Sequence, residues 1–487
     1  MIDLSLDRRQ LLGRVGLASA ALALPNSVLA APASAPARPD WFLGVGDIPD
    51  DIPLQTLTRI HGRAPDGSAG TLYRNGPARF RRGGTAAGHW FDGDGLIRAW
   101  NVRDGKATLT ARFVDTTKRR LETRLGQMVQ PGFGTPARAG NRVTSADDTN
   151  AANTSVIVAG GRLLALWEAG SAYALDPNTL ATQGPETFRA DLAGMPFLAH
   201  PRVEPDGRIW NLGLSGKAAF VWRLSAAGKL EAGQTIALPM ASYIHDFTAT
   251  ARHLVIVLQP WVMDHFALPF VDSLSWRPEL GAKVLVVDKD DLTKRRIYDL
   301  PPFAFFHLGD AWEEADGTIR FDGCFDADPS FGRDSARELV EGRFTHGPSP
   351  RLTMIALHPN GRADMTAAGI DAEFPRSDPH GAGLPRSRTV HVGAYFKDRP
   401  FPSSVGVWDW RTGQDDAHDF GARQIVEEFV PVTAGSRAWL MGTTINLTTR
   451  RTELHLLDAT RVAAGPIVTW AANVALPVTF HGNWVGA

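Results

Sequence analysis

The chain has 487 residues, 44% of them apolar or aromatic and 21% charged, a globular composition too long for one ordinary core unless the fold grows by repetition. Lys and Arg total 51 against 52 Asp and Glu, a formal charge of -1, so no basic excess exists to neutralise phosphates and nucleic acid is not expected as a partner. The single cysteine, Cys324, excludes an intrachain disulfide and any cysteine-based zinc or iron–sulfur site.

In chain order, residues 1–30 read as an export signal. Arg8-Arg9 precede an apolar run from Val15 to Leu24, and Val28-Leu29-Ala30 offers a small-residue cleavage site. The run is too short to span a bilayer and fits the twin-arginine type, which predicts a periplasmic protein exported already folded. Residues 31–40 are a Pro/Ala-rich linker, and residues 41–487 a single domain. No later apolar stretch is long enough for a transmembrane helix. Helix signals are sparse. The best is 118–129, with Leu121, Leu125 and Met128 at helical spacing; 335–339 is a shorter one.

The body is written in short strands separated by turns, consistent with 48 Gly and 33 Pro. An apolar strand followed by an Asp/Asn/Gly turn recurs at 162–167, 219–224, 284–288, 352–357, 405–409 and 453–457. The copies lie about 50–70 residues apart, as expected of blades with inserted loops, and predict an all-β propeller of six to eight blades. A double β-sandwich is the competing fold, but it would not explain a hairpin repeated in this way.

Of the 14 histidines, His61, His253, His346, His358, His380, His418 and His455 stand in polar or loop-like settings and read as solvated or hydrogen-bonded rings. His200, His245, His307 and His481 each follow apolar or aromatic residues and lie a blade-sized interval, or a multiple of one, apart. Four imidazoles from different blades can converge on a propeller axis and hold one metal. The spacing alone leaves this open, because buried histidines beside aromatics are common and none of the four forms a local ligand motif.

At these residues the sequence resembles the carotenoid cleavage oxygenase family. The resemblance runs in order through Arg74-Asn75-Gly76-Pro77, Trp90-Phe91-Asp92-Gly93-Asp94-Gly95, Leu164-Ala165-Leu166-Trp167-Glu168, Ala199-His200-Pro201, Ile244-His245-Asp246-Phe247, Phe306-His307-Leu308-Gly309 and Phe480-His481-Gly482. It implies a seven-bladed β-propeller capped by a dome of loops and short helices, with Fe(II) on the axis held by His200, His245, His307 and His481. Catalysis then needs no residue beyond these ligands and no organic cofactor. The implied reaction is cleavage of a conjugated C=C bond by O2 into two carbonyl products.

The resemblance also implies glutamates that accept the ring N–H facing away from the metal: Glu168, Glu373 and, where the spacing departs from the family pattern, Glu427 in preference to Glu428. Thr479 stands where the family usually has Gly, which could narrow the space beside His481. Trp167, Phe306 and Phe480 are the expected substrate contacts. Relatives that cleave hydroxylated stilbenes tend to carry a Lys at the position of Trp167, so a carotenoid or apocarotenoid is the expected substrate and a lignostilbene- or resveratrol-type stilbenoid the alternative. The remaining alternatives are a non-enzymatic binding propeller, a quinone-dependent dehydrogenase and an isomerase of the same family. Two apolar patches, one of Leu121, Leu125, Met128, Val129 and Phe133 and one of Trp261, Val262, Phe266, Leu268 and Phe270, are candidates for a lipid-facing entrance and peripheral membrane contact.

Overall fold

Apolar residues in the strands are buried on both sheet faces, so successive side chains serve different neighbours. In the strand His253–Leu258, Leu254, Ile256 and Leu258 pack against the preceding sheet while Val255 and Val257 pack against the following one. A two-residue period puts alternate side chains on opposite faces, and a run apolar on both parities must therefore be covered twice. A ring of sheets supplies that cover.

The computed structural model describes residues 38–487 apart from 346 and 348; the twin-arginine segment, and the linker up to residue 37, lie outside the described residues. The described residues form seven blades, each a meander of antiparallel strands. The second blade, for example, is built from Ser155–Ala159, Arg162–Leu166, Tyr173–Leu175 and Thr182–Pro185, and the third from Arg202–Val203, Ile209–Ser215, Ala218–Leu224 and Leu230–Ala237. The fifth and sixth blades share the long strand Ala363–Arg376: its 363–371 part pairs with Arg351–Leu357 and its 372–376 part with Arg388–Tyr395. The ring closes where the C-terminal strand His481–Gly486 pairs with Gly70–Arg79 of the first blade, and again where Thr58–Gly62 adds to the outer edge of the last.

Each pair of neighbouring blades encloses its own apolar cluster. Leu72, Trp100 and Leu109 meet Met441, Leu456 and Trp470 across the closure; Leu164 and Leu166 meet Trp222 and Leu224 between the second and third blades. The core is thus a set of wedges around an axis, and the first strands of most adjacent blades touch one another along it. The recurring apolar strand of the sequence is the third of its blade in every copy except 162–167, which is the second.

Over one face of the ring lies a cap of loops and short helices with its own aromatic clusters, one including Trp41, Phe80 and Trp90, the other Phe133, Tyr243 and Trp261. The helix expected over 118–129 spans Thr117–Leu125. Thr116 caps its first turn and Gly126, at φ 66°, ends it. Its inward face is not the apolar stripe: Leu125 is 52% exposed, whereas Lys118 and Glu122 are buried. The reason is Asp94, a buried carboxylate that needs a cation; Lys118 Nζ donates to it at 2.8 Å and to Glu122 at 2.9 Å. Both candidate entrance patches split in the same way, with Met128, Phe133, Trp261 and Val262 buried and Phe266 71% exposed. The shorter helix is Ala336–Leu339, preceded by a π turn at Phe331–Ser335. His455, expected in a polar setting, is buried in the last blade between the hydroxyls of Thr444 and Thr469.

Candidate metal centre

His200 and His245 lie just before the first strands of the third and fourth blades, His307 lies within the first strand of the fifth, Ala304–Glu313, and His481 opens the strand that closes the ring. Strands that begin near one axis deliver side chains to one point, and among the described residues one ring nitrogen of each of the four histidines lies within 4.8 Å of the others. His200 Nε2 and His245 Nε2 are 3.0 Å apart, and His307 Nε2 and His481 Nε2 3.1 Å apart.

The opposite ring nitrogens show what those short distances mean. His245 Nδ1 faces the carboxylate of Glu168, His307 Nδ1 lies 2.5 Å from Glu373 Oε2, and His481 Nδ1 3.0 Å from Glu428 Oε1. A carboxylate accepts, so each Nδ1 carries the proton and each Nε2 presents a lone pair. The His307 and His481 lone pairs, facing each other at 3.1 Å, repel unless a cation lies between them. Imidazole bonds of about 2.1 Å to a metal place neighbouring nitrogens at right angles about 3.0 Å apart, which is the spacing found. Burial holds the His481 ring down to about 3 despite Glu428, and burial with the neighbouring histidines holds His200 well below the ordinary range. For His307, burial is outweighed by the Glu373 charge and hydrogen bond, which raise it. The donor set fits a divalent transition metal with open positions for a further ligand.

Glu428, not Glu427, serves His481. The strand Gln424–Ala434 slips register between Val426 and Phe429, and both glutamates are buried within reach of Arg74. Glu428 accepts from His481 Nδ1, from the Gly482 N–H at 2.8 Å and from Arg74 Nη1 at 3.1 Å. Burial pushes its carboxyl up, but Arg376, His481 and Arg74 together hold it down to about 2. Glu427 instead accepts from Thr443 Oγ1 at 2.6 Å and from Thr479 Oγ1. Thr479 also accepts from Arg74 Nη2 at 2.6 Å, which explains a hydroxyl at a position where glycine was expected.

Two sequence motifs turn out to support this arrangement. Gly76 lets the chain before His481 pass close by, since a Cβ there would lie 2.5 Å from Thr479 Cα. Asp92 accepts the backbone N–H groups of Phe133, Gly134 and Thr135, fixing a loop of the cap. Tyr243, which sequence reasoning missed, donates to Glu168 Oε2 at 2.9 Å; its place two residues before His245 was the available signal. Phe374, held at φ 54°, stacks on the His307 ring with centroids 4.7 Å apart.

A cavity of about 740 Å3 opens onto His245, His307 and His481. Trp167, Phe306 and Phe480, the expected substrate contacts, all line it, together with Trp90, Phe91 and Phe133.

Nitrogen donors on the axis of a seven-bladed ring, beneath an aromatic cavity, define a metal-dependent propeller enzyme. The chain belongs to the carotenoid cleavage oxygenase family, whose model, described as retinal pigment epithelial membrane protein, matches residues 47–486. It is 30% identical to the apocarotenoid-15,15'-oxygenase of Synechocystis sp. over 91% of this chain and 96% of that one. It is 26% identical to resveratrol cleavage oxygenase 1 of Aspergillus fumigatus (88% and 91% covered) and 27% identical to the isoeugenol monooxygenase of Pseudomonas putida (87% and 93%). Solved structures share the fold: cobalt-substituted Synechocystis apocarotenoid oxygenase superposes with a TM-score of 0.82 at 24% identity, covering 92% of this chain and 98% of that one. The protein is an oxygenase of the dioxygenase type.

Proposed function

We propose that this oxygenase holds Fe(II) through His200, His245, His307 and His481 and splits a conjugated C=C bond of a carotenoid or apocarotenoid into two carbonyl products. The observation that carries the reading is the facing Nε2 lone pairs of His307 and His481 at 3.1 Å, with His200 Nε2 3.0 Å from His245 Nε2 and three of the four rings backed by glutamates, at the wall of an aromatic cavity. Bound iron supplies activation of O2, both atoms of which end in the products. The chain's own residues do the rest. Glu168, Glu373 and Glu428 keep the Nδ1 protons in place and so the Nε2 lone pairs aimed at the axis. Trp167, Phe306 and Phe480 confine the polyene beside the histidines and exclude water.

Two observations favour a long apolar substrate over a stilbenoid. The cavity, at about 740 Å3, is in the upper part of the roughly 300–1,000 Å3 usual for small-molecule sites. Trp167 also offers no ammonium group to a substrate phenol. Aerobic incubation of the iron-loaded protein with carotenoids, apocarotenals and resveratrol-like stilbenes, with products read by mass under labelled O2, tests the reading. Aldehydes from the polyenes carrying label at both new carbonyls are expected. Aldehydes from stilbenes alone overturn the substrate, and unlabelled products rearranged without cleavage overturn the reaction.

Two further inferences rest on separate features. Arg8-Arg9 and the apolar run after them support periplasmic export, which replacing both arginines by lysine should abolish in a fractionation assay. Phe266, 71% exposed while also lining the cavity, supports peripheral membrane contact at the cavity mouth. Loss of liposome co-sedimentation in Phe266→Ser checks it.

A further inference from the structure

Where the cavity meets the second, third and fourth blades, Trp167, Leu198, Leu214 and Met263 line it, and the polar side chains of Glu168, Ser242 and Tyr243 there are paired within the protein. Across the axis, at the fifth and sixth blades, two polar side chains reach it: Asp326, the last residue of the strand Ile319–Asp326, and Tyr395, the last of Arg388–Tyr395. The two hold the same position in consecutive blades. Among the described residues neither the Asp326 carboxyl nor the Tyr395 hydroxyl has a hydrogen-bond partner, whereas Glu373 and Arg399, which also line the cavity, are engaged. A polar group left unpaired at the wall of an apolar cavity costs free energy unless something that enters the cavity pairs with it. Burial, with Glu373, Asp328 and Asp371 nearby, pushes the Asp326 carboxyl well up, and burial also pushes the Tyr395 hydroxyl up.

We propose that Asp326 and Tyr395 form a polar receptor at this end of the cavity, hydrogen-bonding an oxygen at the terminus of the conjugated substrate and thereby setting which double bond rests beside the four histidines. The proposal deepens the carotenoid reading and rests on it for the identity of the substrate. The receptor takes a carbonyl or a hydroxyl oxygen and rejects a hydrocarbon terminus, because entry of a methyl group would leave both side chains unpaired.

Equilibrium binding to the metal-loaded protein without O2, read by quenching of tryptophan fluorescence, tests this with two matched pairs. One is an apocarotenal and the hydrocarbon with a methyl in place of its aldehyde; the other is a polyene with and without a ring hydroxyl. The wild type should bind the oxygen-bearing member of at least one pair roughly tenfold more tightly, and which pair shows the preference distinguishes carbonyl from hydroxyl. Tyr395→Phe and Asp326→Leu should reduce that preference to about twofold or less while leaving the affinity for the hydrocarbon unchanged. Asp326→Asn, which keeps a polar side chain of the same size, should retain most of it. In turnover, the same two damaging variants should spread cleavage over neighbouring double bonds. No oxygen-dependent preference in any wild-type pair, or equal weakening of both members by the variants, overturns the receptor. If neither polyene pair binds but 4-hydroxystilbene is preferred over stilbene with the same dependence on Asp326 and Tyr395, the receptor stands and the carotenoid reading falls.

Discussion

At the scale of single residues, the two adjacent glutamates of the last blade divide labour in a way that can be measured. Glu428 orients His481, so Glu428→Gln should weaken metal binding about 10- to 100-fold, seen by metal titration followed by elemental analysis. Glu427 touches no ligand; it accepts from Thr443 and Thr479 beside the buried Arg74. Glu427→Gln should therefore leave metal affinity unchanged while lowering the thermal midpoint, because a buried cation loses part of its compensation. The reverse pattern in the two variants would restore Glu427 as the partner of His481. Two glutamates in succession cannot be told apart from spacing, since a strand covered on both faces buries both; the register slip beside them appears only in the fold.

Among elements, the cap helix Thr117–Leu125 and the close passage at Gly76 are where small changes should have large effects. Lys118→Met leaves Glu122 a buried carboxylate without its cation and Asp94 with Arg82 alone, and a cost of about 3 kcal/mol is expected, measurable by denaturant unfolding. Gly126 ends the same helix in a left-handed conformation at φ 66° with open space around it, so Gly126→Ala should cost only about 1 kcal/mol. Gly76→Ala should be the more damaging glycine change, with its Cβ 2.5 Å from Thr479 Cα, and should lower metal content too by displacing the segment that carries His481. The helix itself was legible from its spacing, but its orientation was not. Amphipathic periodicity points to the apolar face, whereas the buried network of Asp94, Arg82, Lys118 and Glu122 holds the charged face inward.

For the whole molecule, buried neutral histidines set the acid limit of stability. Burial holds His455 down to about 3 and His89 to about 4. Unfolded, each would take up a proton near 6.5. Between that value and the depressed one the unfolded chain binds more protons than the folded one, so stability is fully present above pH 6.5 and falls as the pH drops towards 3–4. Thermal midpoints measured from pH 7.5 to 4.5 should decline along that limb, and His455→Gln should make the decline shallower. Metal removal should act on the same midpoint: chelation takes away a ligand that binds only the closed ring, and a loss of several kcal/mol follows for a site loaded far above its dissociation constant. A chelated protein that melts with the metal-loaded one would show that the four histidines do not share an ion.

The sequence by itself determined the ring of short strands, because runs such as Leu254–Leu258, apolar on both parities, can be buried only between two other sheets. It also singled out His200, His245, His307 and His481, through their blade-sized spacing and the ordered segments around them. Only the tertiary structure decided how those side chains meet: which glutamate backs His481, that Tyr243 steadies Glu168, and that Asp326 and Tyr395 face one cavity from consecutive blades. Periodicity records which face of a strand is buried, a local property repeated along the chain. Partners separated by tens to hundreds of residues are chosen where the blades close on the axis, through bulges and buried charges that no local pattern encodes.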